Sequence, residues 1–409
     1  MREDLVPLLR SPDSGQPLTL ASVERFFVLP ADVAQTGDAG EAKEEPSERR
    51  FVVDGILQSP EGERFPIMQE IPRLVPRGML SEEENAYLES QNATAAEDPW
   101  QSASLVEPEV VTEQELEAEI RRRMEGQYRL PARDAPHDEQ QTQARRRCEG
   151  EIRYMTAEAR GHNKRKYVGL LKPHIERGGE VGSILETGGN FPGLTRNLAA
   201  VYAPGLSVVA NIQILFPKAF LTADRSIGAV RADVQALPFA DDSFDLVVTA
   251  FMLEHVPDWR RGLLALMRVG RRVFIAFGPN KWFPFEVGHL DAPLAGMLPK
   301  ALAARVAWLW LLLIGRRRPL RRLREILDEV FHVGSGSFAR QAKRNGGRPQ
   351  NLFPHLVEGI IADADAPPTG PRRWLKRFPK IAVMAARTLT ALGLEPQMYY
   401  WIEKPSSRR

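Results

Sequence analysis

Asp233, Glu186 and His255 are the side chains whose type and placement first suggest chemistry. Asp233 follows a predicted short strand and precedes a tight loop, LPFADDSF, which leads into an apolar run from Asp245 to Ala250. Open α/β sheets hold their ligands at such carboxyl strand ends. Upstream, SILETGGNFPGLTRNLA reads as a strand from Ser183 to Glu186, a loop and a helix start. Glu186 ends that strand as a carboxylate, and Gly188, Gly189 and Gly193 allow the backbone to approach a ligand. Together these have the layout of a nucleotide-type cofactor site. His255, within LEHV, can take a proton from a hydroxyl as a neutral imidazole, or it can fix its loop by hydrogen bonding.

The stretch from Val230 to Trp282 resembles S-adenosylmethionine-dependent methyltransferases of the class I, Rossmann-like type. The subgroup is the one with an LPF-x-D-x-S-FD loop and an LEHV helix start, and the resemblance covers roughly residues 150 to 290. It implies S-adenosylmethionine as cofactor. It places Asp233 and Val234 at the adenine, the carboxylate near the exocyclic amine and the valine against the ring; for Asp233 a turn cap is the alternative. A second strand from Leu206 to Ile212 puts Asn211 where the family has its ribose-binding acid. Phe251, Glu254 and His255 fall in the family segment beside the transferred methyl, while Phe239, Phe244 and Phe251 also suit the core.

Two positions depart from the family pattern. Asn190-Phe191-Pro192 adds a residue and a rigid proline to acid-x-Gly-x-Gly-x-Gly. At Asn211 an amide offers one acceptor and a donor, where a carboxylate would accept from both ribose hydroxyls. Transfer from a sulfonium asks for in-line positioning and, where needed, a proton acceptor, so no metal is expected.

Beyond the fifth strand, Glu286 and His289 are candidates for acceptor binding or proton transfer, with a loop salt bridge as the alternative. Ala301 to Ile314 is apolar on all sides and carries Trp308 and Trp310, and Arg316, Arg317, Arg318, Arg321, Arg322 and Arg324 follow. It is shorter than the roughly 20 residues a bilayer span takes. A buried cap helix and an interfacial segment facing anionic lipid, over 301–324, are the two expectations.

The elements that must position these residues lie among less informative sequence. From Leu5 to Pro76, turn residues between short apolar segments suit β-hairpins, with a Gly-, Ala-, Glu- and Lys-rich insertion from Thr36 to Arg49. This part resembles the Trm112-like zinc ribbon, whose ending is matched by Phe65-Pro66-Ile67 through Ile71-Pro72-Arg73-Leu74. The family's cysteine knuckles fall on Ser11, Ser14, Ser59 and Gly62, which cannot replace four thiolates. Residues 80 to 150 read as a charged, solvated helical linker, and a basic amphipathic helix is expected from about Ala159 to Glu176. Lys164, Arg165 and Lys166 on it present a solvated face or meet an acidic substrate. From Gly334 to Pro371 long loops around short elements are expected, then a basic helix from Arg372 to Leu392 and a closing strand from Gln397 to Lys404.

The chain has 409 residues, 43% of them hydrophobic and 26% charged, which is a globular composition long enough for more than one domain. A net charge of +2 exerts no global pull toward nucleic acid. Cys148, the single cysteine, rules out an internal disulfide. Met1-Arg2-Glu3-Asp4 is not followed by an apolar signal core, so a cytoplasmic location is expected, with contact at the inner face of a membrane through 301–324.

The expected fold is an α/β, Rossmann-like doubly wound methyltransferase sheet with a small N-terminal β-rich domain and a helical cap insertion. Its domains are 1–78, a metal-free Trm112-like minidomain; 79–150, the linker; and 151–409, the methyltransferase domain, with the insertion over about 282–330. The expected function is methyl transfer from S-adenosylmethionine to a small-molecule or lipid-linked acceptor. The alternatives are an inactive binding or regulatory relative, and an RNA or protein methyltransferase. The last is permitted by arginines at 145–147 and 316–324 but lacks aromatic and basic interleaving.

Overall fold

The computed structural model describes residues 1–30, 48–91, 98–128, 139–222, 225–316, 318–363 and 375–405. The insertion expected at Thr36 to Arg49 lies, up to residue 47, outside the described residues. So do Arg317 and residues 364–374, the end of the expected loop region and the start of the last basic helix. The chain forms two compact units. The first comprises Met1–Val168, Gly182–Asp233 and Pro238–Ala240, and the second Gly169–Val181, Val234–Leu237 and Asp241–Arg409.

In the first unit β1 (Thr19–Pro30), β2 (Glu48–Gln58), β3 (Arg64–Met68) and β4 (Ile71–Leu74) form an antiparallel meander, and β5 (Ser104–Leu105) pairs in parallel with β1. Three further strands, β6 (Ser183–Thr187), β7 (Leu206–Asn211) and β8 (Gly228–Ala232), are mutually parallel. The meander is not separate from them: β4 pairs in parallel with β8, through Arg73 with Arg231 and Leu74 with Ala232. The order is therefore β6-β7-β8-β4-β3-β2-β1-β5.

Gln69 and Glu70, which turn β3 into β4, both have positive φ (53° and 65°). Glu70 grips Arg225 in a two-pronged pair of 2.8 and 2.9 Å, and the guanidinium, 3% exposed, also donates to the Thr222 and Glu109 carbonyls. One buried cation thus ties the hairpin to the approach of β8.

The four expected knuckle positions form two facing turns joined by hydrogen bonds. Ser11 Oγ accepts from the backbone N–H of Asp13 and Ser14, Ser59 Oγ accepts from Glu63 N–H, and Ser14 Oγ donates to Glu63 Oε2 at 2.5 Å. Burial works to raise the Glu63 pKa, but bonds from Ser14, Ser11 and Ser59 outweigh it and hold the carboxyl below its ordinary value.

The helices of this unit are α1 (Glu82–Ser90), α2 (Glu113–Tyr128), α3 (Glu139–Ala159) and α5 (Gly193–Tyr202), while α4 (Arg165–Arg177) passes from the first unit into the second. Thr112 and Glu115 begin α2 with reciprocal side-chain to backbone bonds of 2.8 and 3.3 Å, a capping box. The expected solvated linker is instead packed. Leu116, Ile120 and Met124, one face of α2 at a spacing of four, join Cys148, Ile152 and Ala159 of α3 against Phe216, Phe220 and Val209. The single basic helix expected from Ala159 is also corrected: α3 stops at Ala159, Gly161 turns left-handed (φ 71°), and α4 begins at Arg165.

In the second unit β9 (Phe244–Ala250) and β10 (Gly270–Phe277) are parallel and joined by α6 (Trp259–Val269), whose start Asp258 caps by accepting from Arg261 N–H. β11 (Phe285–Glu286) and β12 (Ala292–Pro293) form a small hairpin. β13 (Arg348–Asn351) and β14 (Met398–Glu403) complete the order β13-β14-β10-β9, with both of their pairings antiparallel. The expected closing strand is β14.

The other helices are α7 (Lys300–Leu313), α8 (Leu320–Glu329), α9 (Ser335–Arg344), α10 (Phe353–Ala362) and α11 (Pro379–Leu392). The helix for which a buried cap and an interfacial segment are the two expectations is buried on one face. Only Ala303, Ala304, Ala307 and Leu311 are buried, facing Leu323 and Leu327 of α8, because small residues let the two helices approach. Leu302, Trp308, Leu309, Leu312, Leu313 and Ile314 are exposed, Leu313 by 82%. Among the described residues no helix is long and apolar enough to cross a membrane.

Candidate functional site

Glu186, Asn211 and Asp233 stand at or just after the carboxyl ends of β6, β7 and β8 in the first unit, as the sequence anticipates. Parallel register puts them there: Glu186 pairs with Val209 and Asn211 with Arg231. Glu186 is 3% exposed, and its Oε2 accepts from Thr195 N–H at 2.9 Å and from Thr195 Oγ at 2.8 Å. The carboxylate therefore caps the first turn of α5, where N–H groups lack helical partners. Burial raises its pKa, against the lowering pull of Lys164 and the Thr195 bonds.

A pH dependence follows. Between the ordinary carboxylate value, about 4.3, and its raised folded value, the folded chain keeps a proton that the unfolded chain has released, so stability falls as pH rises. Glu186→Gln keeps an acceptor for Thr195 and removes that slope. Urea midpoints of wild type and variant, measured from pH 5 to 8, are expected to shift progressively in favour of the variant. A variant that grows weaker relative to wild type toward pH 8 would mean that the ionised form is needed.

The glycines of the loop have distinct roles. Gly188 has φ 80°, a conformation other residues adopt only with strain, and its N–H donates to Ala210 O at 2.9 Å. Gly193, expected as a point of ligand approach, is required by packing instead: a Cβ there would lie 2.6 Å from Glu158 O and 3.2 Å from Gly161 Cα. Phe191, within the three residues that lengthen the loop, stacks on Phe216 at 4.7 Å, and both are buried in the core of this unit. The added length is an anchor.

Asn211 explains its own amide. Its Nδ2 donates to Gly189 O and Asn190 Oδ1, both at 3.2 Å, while its Oδ1 accepts from Gln213 N–H. A carboxylate could not make the first two bonds. Asp233 is 8% exposed.

The second unit holds the other candidates. Val234, next in sequence after Asp233, is 8% exposed. Phe251 ends β9 with φ 56°, an uncommon conformation for a non-glycine residue that tends to mark functional positions. Its N–H donates to Ala276 O and its ring meets Tyr399 edge-on at 6.2 Å. Phe244 is wholly buried here, as Phe239 is in the first unit.

Glu254 (1% exposed) and His255 lie in a 3-10 turn, Leu253–His255. His255 Nδ1 is 3.2 Å from the Glu329 carbonyl and its ring meets His289 at 5.3 Å between centroids. Partial burial lowers the His255 pKa and His289 adds to that, against the raising bond to Glu329. Glu286 is 2% exposed and accepts from the N–H groups of His289, Leu290 and Asp291 and from His289 Nδ1, at 3.2, 2.7, 2.9 and 3.2 Å. Burial works to raise its pKa, yet the His289 bond and the backbone N–H groups hold it below the ordinary range. With four bonds accepted, Glu286 clamps the 286–291 loop.

Two further groups escaped the sequence. His332 has a buried Nε2 with no hydrogen-bond partner among the described residues, and it feels the charges of Glu286 and His289. Glu395, fully buried, accepts from Ser335 Oγ and Asn351 Nδ2 at 2.5 and 2.6 Å. No spacing flags either, because their partners lie more than 40 residues away in the chain.

Residues 188–273, which begin directly after β6 and include β7 and β8, match the model of a family described as a methyltransferase domain. The segment is thus similar to a methyltransferase domain, a class that takes its methyl group from S-adenosylmethionine. Among solved structures the chain is similar to a phosphoethanolamine N-methyltransferase 2 of Haemonchus contortus, bound to phosphomonomethylethanolamine and S-adenosylhomocysteine. The identity is 15%, over 59% of this chain and 56% of that one, with a TM-score of 0.34. It is also similar to a putative sarcosine dimethylglycine methyltransferase of Galdieria sulphuraria (14%, 61% and 86%, TM-score 0.32). A third likeness is to a complex of the Haloferax volcanii Trm112 methyltransferase activator with a putative methyltransferase (13%, 64% and 98%, TM-score 0.36). The chain spans little more than half the length of the Haemonchus protein. No curated protein matches it by sequence.

Proposed function

We propose that the protein transfers a methyl group from S-adenosylmethionine to a small-molecule acceptor. The observation that carries this is the row of Glu186, Asn211 and Asp233 at the carboxyl ends of three parallel strands, inside or beside the segment matched as a methyltransferase domain. In this reading Asp233 receives the adenine amine and Val234 the ring, Asn211 lies at the ribose, and Gly188 and Gly189 admit the backbone close to the methionine part. Phe251, Glu254, His255 and His289 serve the acceptor. The test is formation of S-adenosylhomocysteine when the protein is incubated with S-adenosylmethionine and a panel of small amines, phenols and carboxylic acids. Product above the acceptor-free rate is expected for at least one class, and none for any class would refute the small-acceptor reading.

The N-terminal strands read as a Trm112-like module that holds its two turns without metal. The Ser11, Ser14, Ser59 and Glu63 bonds and the β4–β8 pairing support this. The exposed Leu309, Leu312 and Leu313 of α7, with arginines following, support contact with an anionic lipid surface and a lipid-linked acceptor. Co-sedimentation with phosphatidylserine vesicles, lost on Leu309→Glu with Leu313→Glu, is expected; equal sedimentation of both proteins would remove that part.

A second reading, an inactive methyltransferase-fold binding protein, draws on one observation. Glu186 is engaged by Thr195 and Asn211 by its own loop, so both are already bonded without a ligand.

A further inference from the structure

Three donors of the second unit converge after β9. Glu254 and His255 are consecutive, His289 is in the β11–β12 loop, and one ligand atom from each lies within 4.8 Å of the others. We propose that Glu254, His255 and His289 bind a divalent first-row transition metal ion of the zinc, cobalt, nickel or iron(II) kind. The site stands on the second unit alone and does not depend on the methyl-transfer reading.

Donor chemistry comes first. Two imidazoles and one carboxylate suit borderline ions, whereas magnesium and calcium prefer all-oxygen sites.

Orientation is the second argument. A carbonyl only accepts, so His255 Nδ1, 3.2 Å from Glu329 O, carries the proton and leaves the Nε2 lone pair for a metal. His289 Nδ1 faces Glu286 Oε1 at 3.2 Å, and that carboxylate is fixed by the N–H groups of Leu290 and Asp291. Both rings thus have the outer partner that metal-bound histidines require, one a carbonyl and the other a carboxylate. Arg318 donates to His289 O at 2.9 Å, which steadies the same loop.

Access and closure complete the case. Glu254 is 1% exposed at the floor and His255 is open to solvent, which gives an ion a way in. Donors at about 2.1 Å from one tetrahedral ion stand roughly 3.4 Å apart, so atoms now within 4.8 Å of one another must close by at most about 1.4 Å, within reach of side-chain rotation. His332, whose Nε2 has no hydrogen-bond partner among the described residues, also feels the charges of Glu286 and His289. Three protein ligands leave positions open, where a hydroxyl oxygen bound to the ion would lose its proton more readily. The proposal departs from the expectation, drawn from sequence, that no metal is involved, and it gives His255 the part of a ligand.

The test uses the full-length, untagged protein, stripped with EDTA and dialysed. Zn²⁺ is titrated by calorimetry, and Co²⁺ by visible absorption, whose bands report nitrogen and oxygen ligation. One ion per chain is expected. His255→Ala, at an exposed position, and Glu254→Gln should each weaken Zn²⁺ binding more than about tenfold, and Glu286→Gln about 10- to 100-fold as the loss of an outer partner. His355→Ala, an exposed histidine elsewhere, should leave it unchanged. Thermal unfolding establishes that each variant is folded. No uptake by the wild type, or uptake undiminished in folded His255→Ala and Glu254→Gln, would overturn the proposal.

Discussion

Replacing Glu70 with alanine is expected to cost about 3–5 kcal/mol, the cost of leaving one partner of a buried ion pair uncompensated. Arg225 is 3% exposed and meets Glu70 through two bonds of 2.8 and 2.9 Å, with two more N–H groups on the Thr222 and Glu109 carbonyls. Its guanidinium also lies over the Phe27 ring, 5.3 Å to the centroid. Glu70→Gln keeps the shape and should recover part of the loss, whereas Glu70→Ala with Arg225→Met should recover more, because the orphaned charge is gone. Urea unfolding of the four proteins measures this. A Glu70→Ala protein as stable as the wild type would show that the N-terminal hairpin is not bound into the first unit by this pair.

The second prediction concerns Asn211. Asn211→Asp removes two donors and sets a carboxylate against Gly189 O and Asn190 Oδ1 at distances where the amide now bonds. A loss of about 1–3 kcal/mol is expected from the unmet acceptors. Hydrogen exchange should accelerate at Gly188 to Phe191 first, since that is the segment released. Affinity for S-adenosylmethionine should fall with it. If the carboxylate instead tightened binding, Asn211 would be a weakened ribose contact and its loop bonds incidental.

Much of the parallel strand framework was legible in the residues. Leu185, Val208, Val209, Val247 and Val248 sit in short β-branched and leucine runs stopped by glycine, asparagine or aspartate, and such runs fit buried strands with few alternatives. The start of α2 was legible too, since Thr112 and Glu115 carry the spacing of a capping box. What stayed hidden depends on distant partners. Leu116, Ile120 and Met124 are three apolar residues in a charged helix, and only the presence of Phe216 and Ile152 turns that thin stripe into a core contact.

The candidate site divides in the same way. Strand ends fixed Glu186, Asn211 and Asp233, because a carboxyl end follows directly from the strand. What each side chain bonds to did not follow. Thr195 engages Glu186 and the Gly161 turn crowds Gly193, through tertiary approaches that local spacing does not encode. His255 and His289 are 34 residues apart and meet only because the β11–β12 loop, clamped by Glu286, brings the second imidazole to the first.

The most direct test of the central claim is calorimetric titration of S-adenosylmethionine and S-adenosylhomocysteine into the purified protein, with Asp233→Ala as the control. The account predicts micromolar binding of both by the wild type and its loss in a folded Asp233→Ala protein. Absence of binding to folded wild type, or binding unaltered by the substitution, would contradict it.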